Sequence, residues 1–282
     1  MSVPMPTSKS RPSIFRALGK NSPPFQIEIA DRIYAKTADF KHDSWAATAL
    51  YASGEHRVVC KFNRTQSAFG FPCKWIGRLL ARRETDFLRR LGDIPGIPRY
   101  YDLIKSCGEK LPNATAHDYV DGKPLSLVFD VDEAYFRELE TLLEKIHQRN
   151  IAYVDLHKPE NVLVGTDGKP YLIDFQISVR LPGFWPFSTL LKMLQASDRY
   201  HLTKHKQYRL NYHYSYAFMN SNRPWWIRWH RKLAVPIRTL RRRILVALGI
   251  RAPSGMANTE KAVEPGLTRS ENNDNRLRPM QH

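Results

Sequence analysis

The sequence predicts an α+β fold, with strands gathered ahead of helices, on the strength of three segments. Arg57-Val58-Val59-Cys60-Lys61-Phe62 is a short, mostly apolar run of strand length. Trp75 to Leu91 carries apolar residues at Ile76, Leu79, Leu80, Phe87 and Leu91, roughly one stripe of a helix. Farther on, Val162-Leu163-Val164 and Leu172-Ile173 flank Thr166-Asp167-Gly168, two apolar strands joined by a turn.

The remaining elements follow in chain order. Residues 1–24 are rich in Ser, Pro and Lys and are expected to be disordered. Phe40 to Thr48 connects two candidate strands and contains no glycine, although Ser44 and Ala46 are small. The helix from Trp75 holds a single Glu, Glu84. Ala114 to Gly122 reads as a connector, and Ala134 to Arg149 as a helix that feeds the polar stretch Tyr153 to Asn161. Residues 251–282 are dominated by polar residues, Gly and Pro, and are again expected to be disordered. At 282 residues the chain is long enough for one folded unit with a sizeable core.

Chemistry concentrates in Asp155-Leu156-His157-Lys158-Pro159-Glu160-Asn161 and in Asp174-Phe175. The hairpin between them brings Asn161 and Asp174 toward each other. Asp and Asn also serve as simple turn residues that cap nearby backbone, and Lys61 and Glu84 taken singly are ordinary charges. Their order along the chain favours the chemical reading.

This set resembles the protein-kinase-like superfamily, whose catalytic loop reads H-R-D-L-K-P-E-N and whose metal loop reads D-F-G. The resemblance implies a two-lobed fold, a small β-rich N-lobe over 25–113 and a mainly helical C-lobe over 114–250. It implies that Asp155 orients the attacking hydroxyl and that Lys158 contacts the transferred phosphate. Asn161 and Asp174 would hold Mg²⁺, and Lys61, paired with Glu84, would reach the phosphates of ATP. Backbone groups at Asp118 and Val120 would meet the adenine edge. Three departures stand out. The Asp-to-Asn spacing is one residue longer, with His157 as the apparent insertion, a structural insert or a group tilted toward substrate. Tyr153-Val154 replaces the His-Arg pair, so regulation by a phosphorylated activation loop is not expected. Gln176 replaces the final Gly of the metal loop, which predicts a loop fixed in one state.

Over roughly Asp31 to Arg209 the chain is most similar to small atypical bacterial kinases of lipopolysaccharide core sugars, the Kdo and heptose kinases. These are relatives of RIO-type and aminoglycoside-phosphotransferase-like enzymes. The similarity implies a cytoplasmic enzyme at the inner face of a membrane, with a glycolipid or sugar as acceptor. A serine/threonine protein kinase and a pseudokinase or RNA-associated RIO-like scaffold remain alternatives; no A-P-E segment follows Asp174, which counts against a peptide acceptor.

Composition bounds the rest. Cys60, Cys73 and Cys107 have neither C-x-x-C spacing nor an even count, so neither a zinc site nor a disulfide framework is indicated. No cleavable signal and no apolar run of spanning length is expected, the longest being Ile244 to Ile250. The net charge of +17 is uneven, with no Asp or Glu from Arg199 to Thr259. Over 223–250, Arg223, Arg228, Arg231 and Arg241 to Arg243 are interleaved with Trp225, Trp226 and Trp229. Ile237, Leu240, Ile244 and Leu248 share one helical face, as in an amphipathic helix on an anionic membrane. A nucleic-acid patch and a helix packed on the fold are the competing readings. No obligate protein partner is implied.

Overall fold

The computed structural model describes residues 13–67 and 71–210, together with Thr239, Leu240, Arg243 and Val246, all four helical. The disordered tail expected over 251–282 and, apart from those four residues, the basic stretch 223–250 lie outside the described residues.

A curled antiparallel sheet comes first. Its strands are β1 (Gln26–Ile29), β2 (Arg32–His42), β3 (Ala46–Ser53) and β4 (His56–Asn63). Helix α1 (Lys74–Leu91) follows, then β5 (Tyr100–Tyr101), β6 (Lys105–Ser106), β7 (Glu109–Lys110) and β8 (Ala114–Asp118). The order across the sheet is β5-β8-β4-β3-β2-β1-β6-β7. Alternation with a period of two decides what each face does. Along β4, Val58, Cys60 and Phe62 enter a core with Tyr51, Ala49 and Ile27, which leaves Lys61 on the opposite face.

The second body contains β9 (Gly122–Pro124), α2 (Glu133–Gln148), β10 (Ile151–Ala152), β11 (Val162–Gly165), β12 (Pro170–Leu172), β13 (Val179–Arg180) and α3 (Phe187–Arg209). Asp132 caps α2 by accepting the Tyr135 amide. The α2 residues Phe136, Leu139, Leu143 and Ile146 form a separate core with Leu156, Val162, Phe175 and Leu202. Each such fully buried side chain contributes about 1.5–3 kcal/mol. Phe87, Leu88 and Leu91 of α1 belong to this second core, so α1 joins the two bodies. The architecture is thus two-lobed α+β, a β-rich lobe followed by a mainly helical one.

Three sequence expectations need correction. The division expected after Asn113 falls after Asp118, because β8 pairs along β4 from Phe62↔Ala114 to Val58↔Asp118. The chain then crosses to β9, where Gly122 sits so close to Val164 that a Cβ would meet its carbonyl oxygen at 2.4 Å. Residues 13–24, assigned to a disordered leader, instead pack on the sheet: Ala17 is buried, and Thr65 and Gln66 donate their amides to its carbonyl. Short local polarity hid an anchor supplied by distant residues. Finally, Leu79 does not face the core. The buried stripe of α1 is Gly77, Ala81, Glu84, Phe87, Leu88 and Leu91, and the helix approaches Arg64 so closely that a Cβ on Gly77 would lie 2.2 Å from its carbonyl oxygen.

Candidate active site

β4 and the buried stripe of α1 aim Lys61 and Glu84 at each other. Lys61 Nζ lies 3.2 Å from Glu84 Oε2 and 2.7 Å from Asp174 Oδ1, so one ammonium bridges α1 to the segment after β12. Burial opposes charge on Lys61, but the Glu84 and Asp174 carboxylates outweigh it and hold the ammonium firmly protonated. Burial pushes the Glu84 carboxyl up to about 7 against the pull of Lys61, and the Asp174 carboxylate adds to the rise. For Asp174, burial also pushes upward, yet the Lys61 ammonium prevails and the pKa falls below the ordinary value. Asp174 adopts φ +60°, a left-handed conformation that Asp tolerates better than most residues. Beside it Phe175 is fully buried, with its ring centroid 5.1 Å from that of Tyr153.

Across from this pair, Asp155 is buried and held on one oxygen. Its Oδ2 accepts from Lys158 Nζ and from Asn161 Nδ2, both at 2.8 Å. Two consecutive tight turns, Lys158 N to Asp155 O and Asn161 N to Lys158 O, absorb the extra residue and return Asn161 to Asp155. Asp155 Oδ1 is buried without a hydrogen-bond partner, and His157 Nδ1 stands 3.4 Å from it. The inserted His157 is half-exposed, beside Asp155 and 5.8 Å from the ring of His201.

Asp198 of α3 fixes the entry to this loop. Its Oδ2 accepts the Tyr153 amide and its Oδ1 the Val154 amide, each at 2.8 Å, and His147 Nε2 lies 3.0 Å from Oδ2. Val154 has φ +69°, a strained value for a β-branched residue. One helix turn pair farther along, His205 Nε2 donates to the Leu156 carbonyl at 2.7 Å. Sequence reasoning missed both residues. The available signal was an acid on an otherwise buried stripe: Leu191, Gln195, Asp198 and Leu202 recur at helical spacing.

The segment after Asp174 is tied on two sides. Gln176 Nε2 donates to Asn63 Oδ1 at the end of β4, and Arg83 Nη2 of α1 donates to the Ser178 carbonyl at 2.8 Å. At the connector, the Asp118 amide donates to Arg99 O, and its carbonyl faces His117 Nδ1 at 2.8 Å. Val120 lies past the end of β8, outside the strand ladder.

The glycine-free hairpin between β2 and β3 is closed on itself. Asp43 Oδ1 accepts the Trp45 and Ala46 amides, Arg64 Nη1 donates to Ser44 O at 2.6 Å, and Ala17 donates its amide to Asp43 O.

Among the described residues no group of three or more His, Cys, Asp or Glu gathers to hold a metal by itself. Asn161 and Asp174 are the residues that could offer oxygen ligands to an ion. Because Asn161 directs its NH₂ at Asp155, its carbonyl oxygen is turned elsewhere. Two protein oxygens suit Mg²⁺, which keeps waters and takes phosphate oxygens for most of its shell. Among the described residues no helix is long and apolar enough to cross a membrane.

No protein-family model matches the sequence. No curated protein is significantly similar to it. Among solved structures, the chain is similar to Rio2 kinase from Chaetomium thermophilum, in a complex with ADP/Mg²⁺-phosphoaspartate, with 16% identity and a TM-score of 0.49. The match covers 64% of this chain and 57% of that one.

Proposed function

We propose that the chain is a Mg²⁺- and ATP-dependent phosphotransferase that moves the γ-phosphate to a hydroxyl. The acceptor in this reading is a sugar of lipopolysaccharide or a related anionic glycolipid at the inner face of the cell membrane. The observation that carries the reading is Lys61, whose ammonium joins Glu84 to Asp174 opposite the Asp155–Asn161 pair. This is the small set of positioned charges that phosphoryl transfer needs. The basic, tryptophan-bearing stretch 223–250 supports an anionic lipid acceptor.

In this mechanism Lys61 steadies the phosphates; Asn161 and Asp174 are the residues that would hold Mg²⁺, which would supply charge neutralisation. Asp155 orients the acceptor hydroxyl and takes its proton on Oδ1, the oxygen that Lys158 and Asn161 leave open. The acceptor oxygen bonds to the γ-phosphorus as the bond to the β-phosphate oxygen breaks. Lys158, one turn from Asp155, contacts the phosphoryl group in flight. His157 turns aside to admit the acceptor. Positioning and charge neutralisation supply most of the acceleration.

One observation favours a second reading, a nucleotide-binding scaffold without transfer: the hairpin that would cover the phosphates engages its backbone groups internally.

The test incubates the protein and its Asp174→Asn variant with Mg²⁺, γ-labelled ATP and a bacterial lipid-glycan extract, then separates lipid, protein and free phosphate. Label in the glycolipid fraction that the variant abolishes supports the proposal. Label confined to protein would replace it with a protein kinase. No label and no ATP affinity would leave the scaffold. Asp155→Ala is expected to lower transfer about 10²- to 10⁴-fold.

A further inference from the structure

We infer that the outer face of α1 and the segment from Ile177 to Leu190 form one docking surface for an anionic phospholipid bilayer. Seven apolar side chains stand in solvent there: Trp75 and Leu79 on α1, and Ile177, Phe184, Trp185, Phe187 and Leu190 on the segment. Trp185 is 80% exposed and Trp75 63%, a degree of apolar exposure that marks interaction surfaces.

The two stretches lie side by side. Arg83 of α1 donates to Ser178 O, which places Ile177 against the helix. Leu181 donates its amide to Asn150 O, and the adjacent Arg149 donates to Arg90 O at the far end of α1. The 18 residues of α1 span about 27 Å, with Trp75 in its first turn.

Charge selects the partner. Lys74, Arg78 and Arg82 are exposed on α1, and Arg180 is exposed on the segment. On α1 the acids are Glu84, which is buried, and Asp86, which pairs with Arg90. From Ile177 to Met193 the sequence has no acid at all. Tryptophan settles at headgroup depth, and arginine meets anionic headgroups, so both parts of the face gain from a bilayer. A nucleic acid would use the arginines, but Leu79, Ile177 and Phe187 offer nothing to a phosphate backbone. This face is separate from the 223–250 stretch and requires no phosphotransfer.

The experiment sediments the full chain with vesicles of phosphatidylglycerol and phosphatidylcholine, and with vesicles of phosphatidylcholine alone. Binding is expected only to the anionic vesicles, weakening with salt. Trp75→Ser combined with Trp185→Ser should weaken it roughly tenfold through lost apolar insertion. Arg78→Glu with Arg82→Glu should weaken it by at least about tenfold, from headgroup attraction of about fivefold per arginine. A melting temperature within the wild-type range confirms that these exposed changes leave the fold intact. Absence of vesicle binding by the wild type would overturn the inference. So would binding that both double variants retain in full, which would assign the membrane contact to another part of the chain. Arginine variants that lose RNA binding while keeping vesicle binding would overturn it in favour of nucleic acid.

Discussion

The carboxylate of Asp198 accepts the Val154 amide at 2.8 Å, and it does so while Val154 holds a left-handed φ of +69°. A β-branched residue there costs roughly 1–3 kcal/mol, and Asp198 offsets this by taking the Tyr153 amide as well. Asp198→Asn places an NH₂ against one of two backbone donors. The variant should lose about 1–3 kcal/mol of stability, from a buried backbone amide left unsatisfied opposite the new NH₂. Denaturant unfolding measures this, and phosphotransfer should fall more than tenfold while nucleotide affinity stays, since Lys61 and Asp174 do not touch Asp198. Equal stability would show that the loop holds itself.

A second prediction concerns the ammonium that serves two carboxylates. Lys61→Met leaves Glu84 buried beside Asp174, with no cation paired to Glu84 and only the more distant Lys158 acting on Asp174. At neutral pH the loss should be about 3 kcal/mol, the scale for breaking a buried ion pair. Burial already pushes Glu84 up to about 7, and removing Lys61 pushes it further. The variant's deficit should therefore shrink as pH falls from alkaline values toward about 7, where its Glu84 takes up a proton before that of the wild type does, and level off below. Urea unfolding at mildly alkaline and neutral pH decides it; a deficit that does not change with pH would place the proton elsewhere.

The residues legible in the sequence were those whose partners are announced by local pattern. Lys61 ends an apolar strand, Glu84 is the lone Glu of its helix, and Asp155, Asn161 and Asp174 flank a hairpin. Contacts that join distant segments left no such trace. Asp198 sits more than forty residues from the amides it receives, and Gln176 finds Asn63 across the lobes. Leu79 misled because apolar spacing alone cannot show that Gly77 is the residue small enough to face Arg64. The Ser- and Pro-rich start hid Ala17 for a similar reason, since its burial is made by Asp43, Thr65 and Gln66.

His205 should make stability pH-dependent. Burial pushes its pKa down to about 4, with Lys204 and Arg209 adding to the fall and the Leu156 carbonyl and Glu160 opposing it. The unfolded chain, at the ordinary value near 6.5, then binds more protons than the folded one between the two values. Stability is complete above about 6.5 and is lost as pH falls toward about 4. The full span is at most about 3 kcal/mol, at 1.36 kcal/mol per unit. The difference in unfolding free energy between the wild type and His205→Gln, followed across this window, isolates the effect from acidic groups. A constant difference would mean that the ring is solvated.

The segment after Asp174 supplies the last prediction. The side-chain amide of Gln176 is anchored on Asn63, itself buried and bonded to Asn113. Gln176→Gly removes one hydrogen bond, about 1 kcal/mol, and adds backbone freedom to the unfolded chain worth about 0.5–1 kcal/mol. Amides from Phe175 to Ser178 should exchange with solvent faster by about tenfold, because a loss near 1.4 kcal/mol is a factor of ten in the local opening equilibrium. Arg83 still holds the Ser178 carbonyl, so the loop should loosen next to Asp174 more than at its far end. Uniform exchange along the four amides would show that Arg83 alone fixes the loop, and that the glutamine is there for reasons other than restraint.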